Sequence, residues 1–382
     1  MLQSKSRTWV EIDLRIVKQN YQWIKQHVAD TKIMAVVKAN AYGHGDVEVA
    51  HTLQEEGVDF FAVSSIDEAL RLRKAKIREN ILILGYTPQE HFHYLIENDI
   101  VQCIMSLDYA RVLANYAKQN QTKIRTHIKV DTGMGRLGIP YVKGDDHFED
   151  ICEVYQIKDL RIEGIFSHFS VADMFMREDD VAFTTLQLKR FQEVLQRLKA
   201  RNIAYGLTHI QNSYGVLNYP ELTFDYCRPG IILLGNTSDD AIPLQTTSLL
   251  QPSLTWKANV SQVKKVRAHN YVGYGRNFQA KKDMKVATIS CGYADGLHRQ
   301  ASLHHFQILV NGVKCEVIGN ICMDQCMVDV SAVENVEEGD VVVLVGQQGG
   351  NVIAIDQLSR CSRTINNESF CLISYRVPRF YR

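Results

Sequence analysis

The sequence lacks net charge: 43 Lys and Arg stand against 43 Asp and Glu in 382 residues. Without a surplus of Lys and Arg there is no electrostatic footprint for nucleic acid or for an anionic membrane surface. Neither is expected as a partner, and a small-molecule substrate becomes the default. No run approaches the ~20 apolar residues that a membrane helix needs. The opening MLQSKSRTWVEID has no apolar segment of the signal-peptide kind. A cytoplasmic location follows, either as a free protein or as the cytoplasmic part of a membrane-anchored one. No Cys-x-x-Cys pair occurs among the nine cysteines, whose odd number and scatter argue against a disulfide framework. Cys322 and Cys326 are four apart with no histidine nearby, so no metal site is expected. Low-complexity tracts and short repeats are absent as well.

What is present is an ordinary globular composition, 46% apolar and 23% charged, in a chain long enough for two domains. Short β-branched or apolar runs occur at 33–37, 60–64, 81–84, 101–105, 124–130, 162–168, 207–210 and 224–228. Helix-period stretches such as IDEALRLRKA and LDYARVLANYAKQ lie between most of them. Eight strands with helical crossovers predict an α/β fold, a (β/α)8 TIM barrel over 14–240, with an open doubly wound sheet as the competitor. Beyond about residue 240 the texture changes to alternating segments broken by Gly and Asn, including a hairpin signal in VNGV at 310–313. This predicts a mainly antiparallel β domain over 241–382, joined by an N-terminal strand within 1–13.

Catalytic residues of such barrels sit where strands end. Lys38 follows an apolar run, where desolvation would free its amine for covalent chemistry. At a strand end a lysine can equally snorkel to solvent. The loop after it, ANAYGHG, carries glycines for close backbone approach and Tyr42, whose hydroxyl can meet a phosphate. Lys129, His168, His209, Asn212, Ser213 and Arg228 mark other strand ends. Backbone N–H groups at Asn212-Ser213 and Gly230-Ile231, with the Ser213 hydroxyl, could cradle a phosphate. Each also has a plain alternative. Ser213 could cap a helix starting near Tyr214, Lys129 and Arg136 could pair with Asp131, and the histidines could be satisfied core residues.

Taken in order, VVKANAYGHG, KVDTGMGRLG, HIQNS, CRPGI, VGYGRNF, GYADG, ICMDQCM and TINNESFCLISYRVPR resemble the motifs of alanine racemases of the barrel-type pyridoxal-phosphate family. The resemblance runs from about residue 8 to 382. It implies that Lys38 holds pyridoxal 5'-phosphate and serves as the base on one face of the substrate. Tyr274 would be the base on the other face, supplied by the partner subunit of a homodimer. Arg136 would bind the substrate carboxylate, oriented by Lys129 once that lysine is carbamylated. Arg228 would face the pyridine nitrogen, hydrogen-bonded by His209. His168 would lie near the tyrosine, the Met323 backbone N–H would meet the substrate carboxylate, and Tyr293 and Arg299 would line the access corridor.

The C-terminal motif departs from the family: Asn367 stands where alanine racemases have tyrosine. A short amide opens room beside the substrate side chain and offers a hydrogen bond. The change resembles the serine/alanine racemases of glycopeptide (vancomycin) resistance, whose racemase domain follows membrane helices. It predicts L-serine as the preferred substrate and alanine as a weaker one, for peptidoglycan precursors. An ordinary alanine racemase is the first alternative. A decarboxylase of basic amino acids would need carboxylate contacts for a distal amine, and a non-catalytic pyridoxal-phosphate-binding protein would lack the second domain. A second departure is Asn320, where bacterial enzymes often carry a corridor arginine.

Overall fold

A computed structural model of the chain describes residues 6–28, 30–174, 176–242, 244 and 249–382. The first residues of the strand expected within 1–13 therefore lie outside the described residues. Eight parallel strands form the first layer: Lys32–Val36, Phe60–Val63, Asn80–Ile83, Val101–Ile104, Ile124–Asp131, Leu160–Phe166, Leu207–His209 and Tyr226–Cys227. Each pairs with the next, and the circle closes where Cys227 lies opposite Ile33. Closure decides between the two α/β architectures, because an open sheet would leave two edge strands paired on one side only.

The near-continuous apolar runs are explained by burial on both faces. Met34, Val36, Phe60, Ala62, Leu82, Val101, Cys103, Phe166 and Tyr226 fill the barrel interior. Their neighbours in sequence, such as Ile33, Ala35, Phe61, Val63, Ile81 and Ile83, pack outward against the helices. Ser65 and Ser106 cap two of those helices, accepting from Glu68 N and Tyr109 N. The longest crossover helix, Glu178–Ala200, lies between the sixth and seventh barrel strands.

The C-terminal third, with one N-terminal strand, forms a nine-stranded, mainly antiparallel sheet. Thr8–Ile12 inserts into it, antiparallel to Leu254–Val266 and parallel to Arg379–Tyr381. Asn311 and Gly312 make the two-residue turn of the hairpin that joins Gln307–Val310 to Val313–Ile318. The chain then returns to the barrel mouth. Arg379 Nε donates to the Gly43 carbonyl at 3.1 Å, and Asn366 N donates to Ser238 O at 2.8 Å. Among the described residues no helix is long and apolar enough to cross a membrane.

Candidate active site

The first barrel strand ends at Val36, and Lys38 opens a tight turn over the mouth. Ala39, Asn40, Ala41 and Tyr42 all have positive φ, between 46° and 56°. Four consecutive non-glycine residues thus adopt the left-handed conformation, ahead of Gly43. Such backbone persists only where surroundings over-determine it. Here the Glu68 carboxylate accepts from Ala39 N and Ser64 N at 2.7 Å each, and Asn40 Oδ1 accepts from Asp46 N. Buried His44 donates through its Nδ1–H to the Tyr42 carbonyl, 2.9 Å away.

Lys38 points into a cavity of roughly 440 Å3 that Tyr42, Arg136, His168, Asn212, Ser213, Arg228, Gly230, Ile231 and Asn367 also line. Among the described residues its ammonium has no hydrogen-bond or ion-pair partner. Burial lowers its pKa, the Arg136 charge lowers it further, and Glu68 pulls it back up. Arg228, 3% exposed, forms the floor. Its Nη1 donates to His209 Nδ1 at 2.7 Å, and its Nη2 donates to Ser167 O at 2.7 Å, His168 Nδ1 at 3.0 Å and Ile210 O at 3.1 Å. Burial pushes this guanidinium down to about 9, so it remains charged at neutral pH. Burial and the Arg228 charge together hold His168 and His209 far below the usual histidine range.

On the wall formed by the fifth strand, Lys129 is buried, and burial brings its amine down to about 8. The plain alternative of a salt bridge to Asp131 does not hold. That carboxylate accepts from Gly133 N and Gly135 N, shaping the loop that carries Arg136. Neither Lys129 nor Arg136 has an ion-pair partner among the described residues. Opposite, the helix Ser213–Asn218 is capped by Asn212, whose Oδ1 accepts from Gly215 N at 2.9 Å. Ser213 is therefore the first helical residue, not the cap, and its hydroxyl accepts from Gly230 N at 3.0 Å. A Cβ on Gly230 would sit 2.3 Å from the Tyr42 hydroxyl, so this glycine is what lets the phenol close over the backbone.

These features fit a phosphorylated cofactor with a carbonyl group. An unpartnered amine of lowered pKa stands at one end of the cavity. A cup of hydroxyls and backbone, too tight for a Cβ, stands at another, with a buried cation between. The last wall comes from the C-terminal segment. Asn366, buried, donates through Nδ2 to Thr237 O and Asp356 Oδ1 and thereby seats Asn367, whose Oδ1 is buried without a partner among the described residues.

Tyr274, Tyr293 and Met323 are not in this cavity. They are 72%, 42% and 53% exposed on the β domain. Tyr274 borders a separate concavity of roughly 900 Å3 that shares no lining residue with the Lys38 cavity. Asn320 is buried, and its amide donates to the Tyr274 carbonyl at 2.8 Å. It supports the turn that carries this tyrosine. Tyr293 N and Ala294 N donate to Cys322 O and Met323 O, holding those two loops side by side.

Three residues of the site are missing from the sequence reading. Glu68 anchors the Lys38 turn. Gln187, fully buried on the long helix, accepts from Ser170 and donates to Thr132 Oγ1 and His168 O. His127 lies behind His209 at 2.9 Å. Only His127 left a signal: it is two residues before Lys129 on one strand, hence on the same face.

Comparison with known proteins agrees across the whole length. The family model "Alanine racemase, N-terminal domain" matches residues 12–238, and "Alanine racemase, C-terminal domain" matches 253–381. Alanine racemase 1 of Clostridium acetobutylicum is 40% identical over 373 residues, 98% of this chain and 95% of that protein. The solved alanine racemase of Clostridium difficile 630 superposes with a TM-score of 0.91 at 33% identity, covering 99% of this chain and 96% of its own. A histidine racemase from Leuconostoc mesenteroides has a TM-score of 0.87 at 27% identity, over 99% of this chain and 98% of its own.

Proposed function

Because the chain belongs to the alanine racemase family, we propose that it interconverts L- and D-alanine by a two-base reaction dependent on pyridoxal phosphate. The observation that carries this reading is the shared cavity: the unpartnered Lys38 amine faces Arg136, Arg228, Tyr42 and Ser213. When bound, the cofactor draws electron density from the substrate Cα and makes its proton removable. Lys38 would hold the cofactor. Its lowered pKa suits an amine that takes the Cα proton on one face and returns it. Tyr42, Asn212, Ser213, Gly230 and Ile231 would hold the phosphate, and Arg228, a group with donors only, would keep the ring nitrogen unprotonated. A site of that kind shortens the life of the Cα charge and limits side reactions.

Inversion needs a second proton carrier on the opposite face. Tyr274 fills that role from a second copy of the chain, with His168 beside it, since its own cavity is separate from Lys38's. The tyrosine's exposure on the β domain suits contact with a partner. Arg136 and the Met323 backbone would take the substrate carboxylate, and Tyr293 would line the approach. Lys129, an amine near 8, is partly neutral at pH 7 and able to add CO2; the resulting negative charge would orient Arg136. Supply of D-alanine for cell-wall peptidoglycan by a cytoplasmic homodimer follows from this reading.

One observation favours a second substrate. The unpartnered Oδ1 of Asn367 offers an acceptor that a hydroxymethyl side chain satisfies and a methyl does not. L-serine would then be turned over as well, and preferred where the enzyme serves glycopeptide resistance. The test is a D-amino-acid oxidase-coupled assay on L-alanine and L-serine, with native protein and Asn367→Tyr. The variant should shift kcat/KM toward alanine by about tenfold or more. An unchanged ratio removes Asn367 from the account, and no D-product from either substrate overturns the racemase reading itself.

A further inference from the structure

One buried imidazole takes no part in the reaction just described. His127 lies inside the barrel, fully buried, with Nδ1 2.9 Å from His209 Nε2. We propose that His127 is a positioning residue: it fixes the direction of the hydrogen-bond chain that runs from His209 through Arg228 to His168. The inference rests on the reading of Arg228 as the residue facing the cofactor.

The argument starts at the guanidinium, which can only donate. Arg228 donates to Nδ1 of both His209 and His168. Each ring must present a lone pair there. A neutral imidazole carries one ring hydrogen, so in both rings that hydrogen sits on Nε2. His209 Nε2–H then needs an acceptor in the barrel interior, where its ring stacks on Phe166 at 4.6 Å. Among the described residues the only acceptor within hydrogen-bond distance is His127 Nδ1. Accepting there puts the His127 hydrogen on its own Nε2, an atom with no partner among the described residues. The chain thus has one direction, and His127 ends it.

Remove that acceptor, and His209 is left with a buried unpaired N–H. Its relief is to move the hydrogen to Nδ1, which then opposes an Arg228 N–H, donor against donor. Arg228 would keep its bonds to Ser167 O and Ile210 O but lose the one that sets its Nη1 side. The fold makes room for this role. A Cβ on Gly164 would lie 2.7 Å from His127 Cε1 and 2.8 Å from Nδ1, and Phe60 meets the ring edge-on with centroids 5.7 Å apart. Burial and the neighbouring charges of Arg125 and Arg228 push His127 down to about 3, so it stays a neutral acceptor over the working range.

The test is 15N NMR of the holoenzyme with labelled histidine, reading the His209 tautomer, in native protein, His127→Phe and His127→Asn. Asparagine places an amide oxygen near the position of Nδ1, whereas phenylalanine keeps the ring volume without the acceptor. We expect the Nε2–H tautomer of His209 in the native protein and in His127→Asn, and a mixed or Nδ1–H population in His127→Phe. With it, kcat of His127→Phe should fall about tenfold at little change in KM, the worth of one hydrogen bond to a charged group, and His127→Asn should recover most of it. If His127→Phe does not fold, His127→Leu, which removes the acceptor with a smaller side chain, should give the same tautomer change. An unaltered His209 tautomer, or equal impairment by Asn and Phe, overturns the proposal. The tautomer is read without turnover, so a native enzyme that makes no D-product would sink the racemase reading separately.

Discussion

At the scale of single residues, the proposed phosphate cup depends on an atom that is missing. Gly230 has a negative φ of −124°, and its substitution is resisted by space, since a Cβ there would meet the Tyr42 hydroxyl. Gly230→Ala should force the Tyr42 phenol aside and raise the dissociation constant for pyridoxal phosphate about tenfold or more, with ~1–3 kcal/mol lost from folding. Titration of apo-protein by cofactor absorbance checks this, and tight binding by the variant would remove Tyr42 from the cup. Residue chemistry at this scale was legible. Lys38 after an apolar run and Arg228 before Pro-Gly stand out by type and place. The left-handed run from Ala39 to Tyr42 did not, because alanine and tyrosine rarely adopt it and only contacts from Glu68 and the C-terminal segment hold it.

Among elements, the long helix Glu178–Ala200 does more than cover the barrel. Gln187 ties the loop after the fifth strand, which carries Arg136, to the loop after the sixth, which carries His168. Arg190 adds a bond from the same helix to Thr132 O at 2.8 Å. Gln187→Glu would replace the donor that meets Thr132 Oγ1 and His168 O with an acceptor. We expect kcat/KM to fall about 10- to 100-fold, as for the loss of one or two buried hydrogen bonds. Hydrogen exchange should rise together in residues 131–137 and 168–170. Faster exchange in one loop alone would show that the helix does not couple them. Most strands were readable as elements because both of their faces are apolar. The latch was not, since a glutamine among LQLKRFQEVLQ looks like any surface polar residue until the loops fold over it.

For the whole molecule, two consequences follow. The first concerns acid. His44 and His127 are fully buried, and burial lowers them to about 4 and about 3 from an ordinary value near 6.5. The unfolded chain therefore takes up protons below pH 6.5 that the folded chain refuses. Stability should be level above that pH and fall as pH drops toward 4, by up to about 1.4 kcal/mol per group per pH unit. Urea midpoints at pH 7.5 and pH 5 measure it, and equal midpoints would contradict the buried neutral state. The second concerns assembly. If Tyr274 serves the cavity of a partner, Lys38→Ala and Tyr274→Phe proteins are each inactive, but their mixed dimers hold one intact site. Co-refolded in equal amounts they should regain roughly a quarter of full activity, since half of the dimers are mixed. No recovery would place both groups in one chain.

The order of strand and helix, the change of texture near residue 240 and the candidacy of side chains such as Lys38 were determined by the sequence alone, because side-chain periodicity and residue chemistry are local properties. What only the tertiary structure decided are relations across long stretches of chain. Closure of Tyr226–Cys227 onto Lys32–Val36 is one. The direction of hydrogen bonds from Arg228 through His209 to His127, and the separation of Tyr274 from the Lys38 cavity, are others. Such relations depend on which groups meet once apolar faces are buried and each buried donor has found its acceptor, and no window of neighbouring residues contains that information.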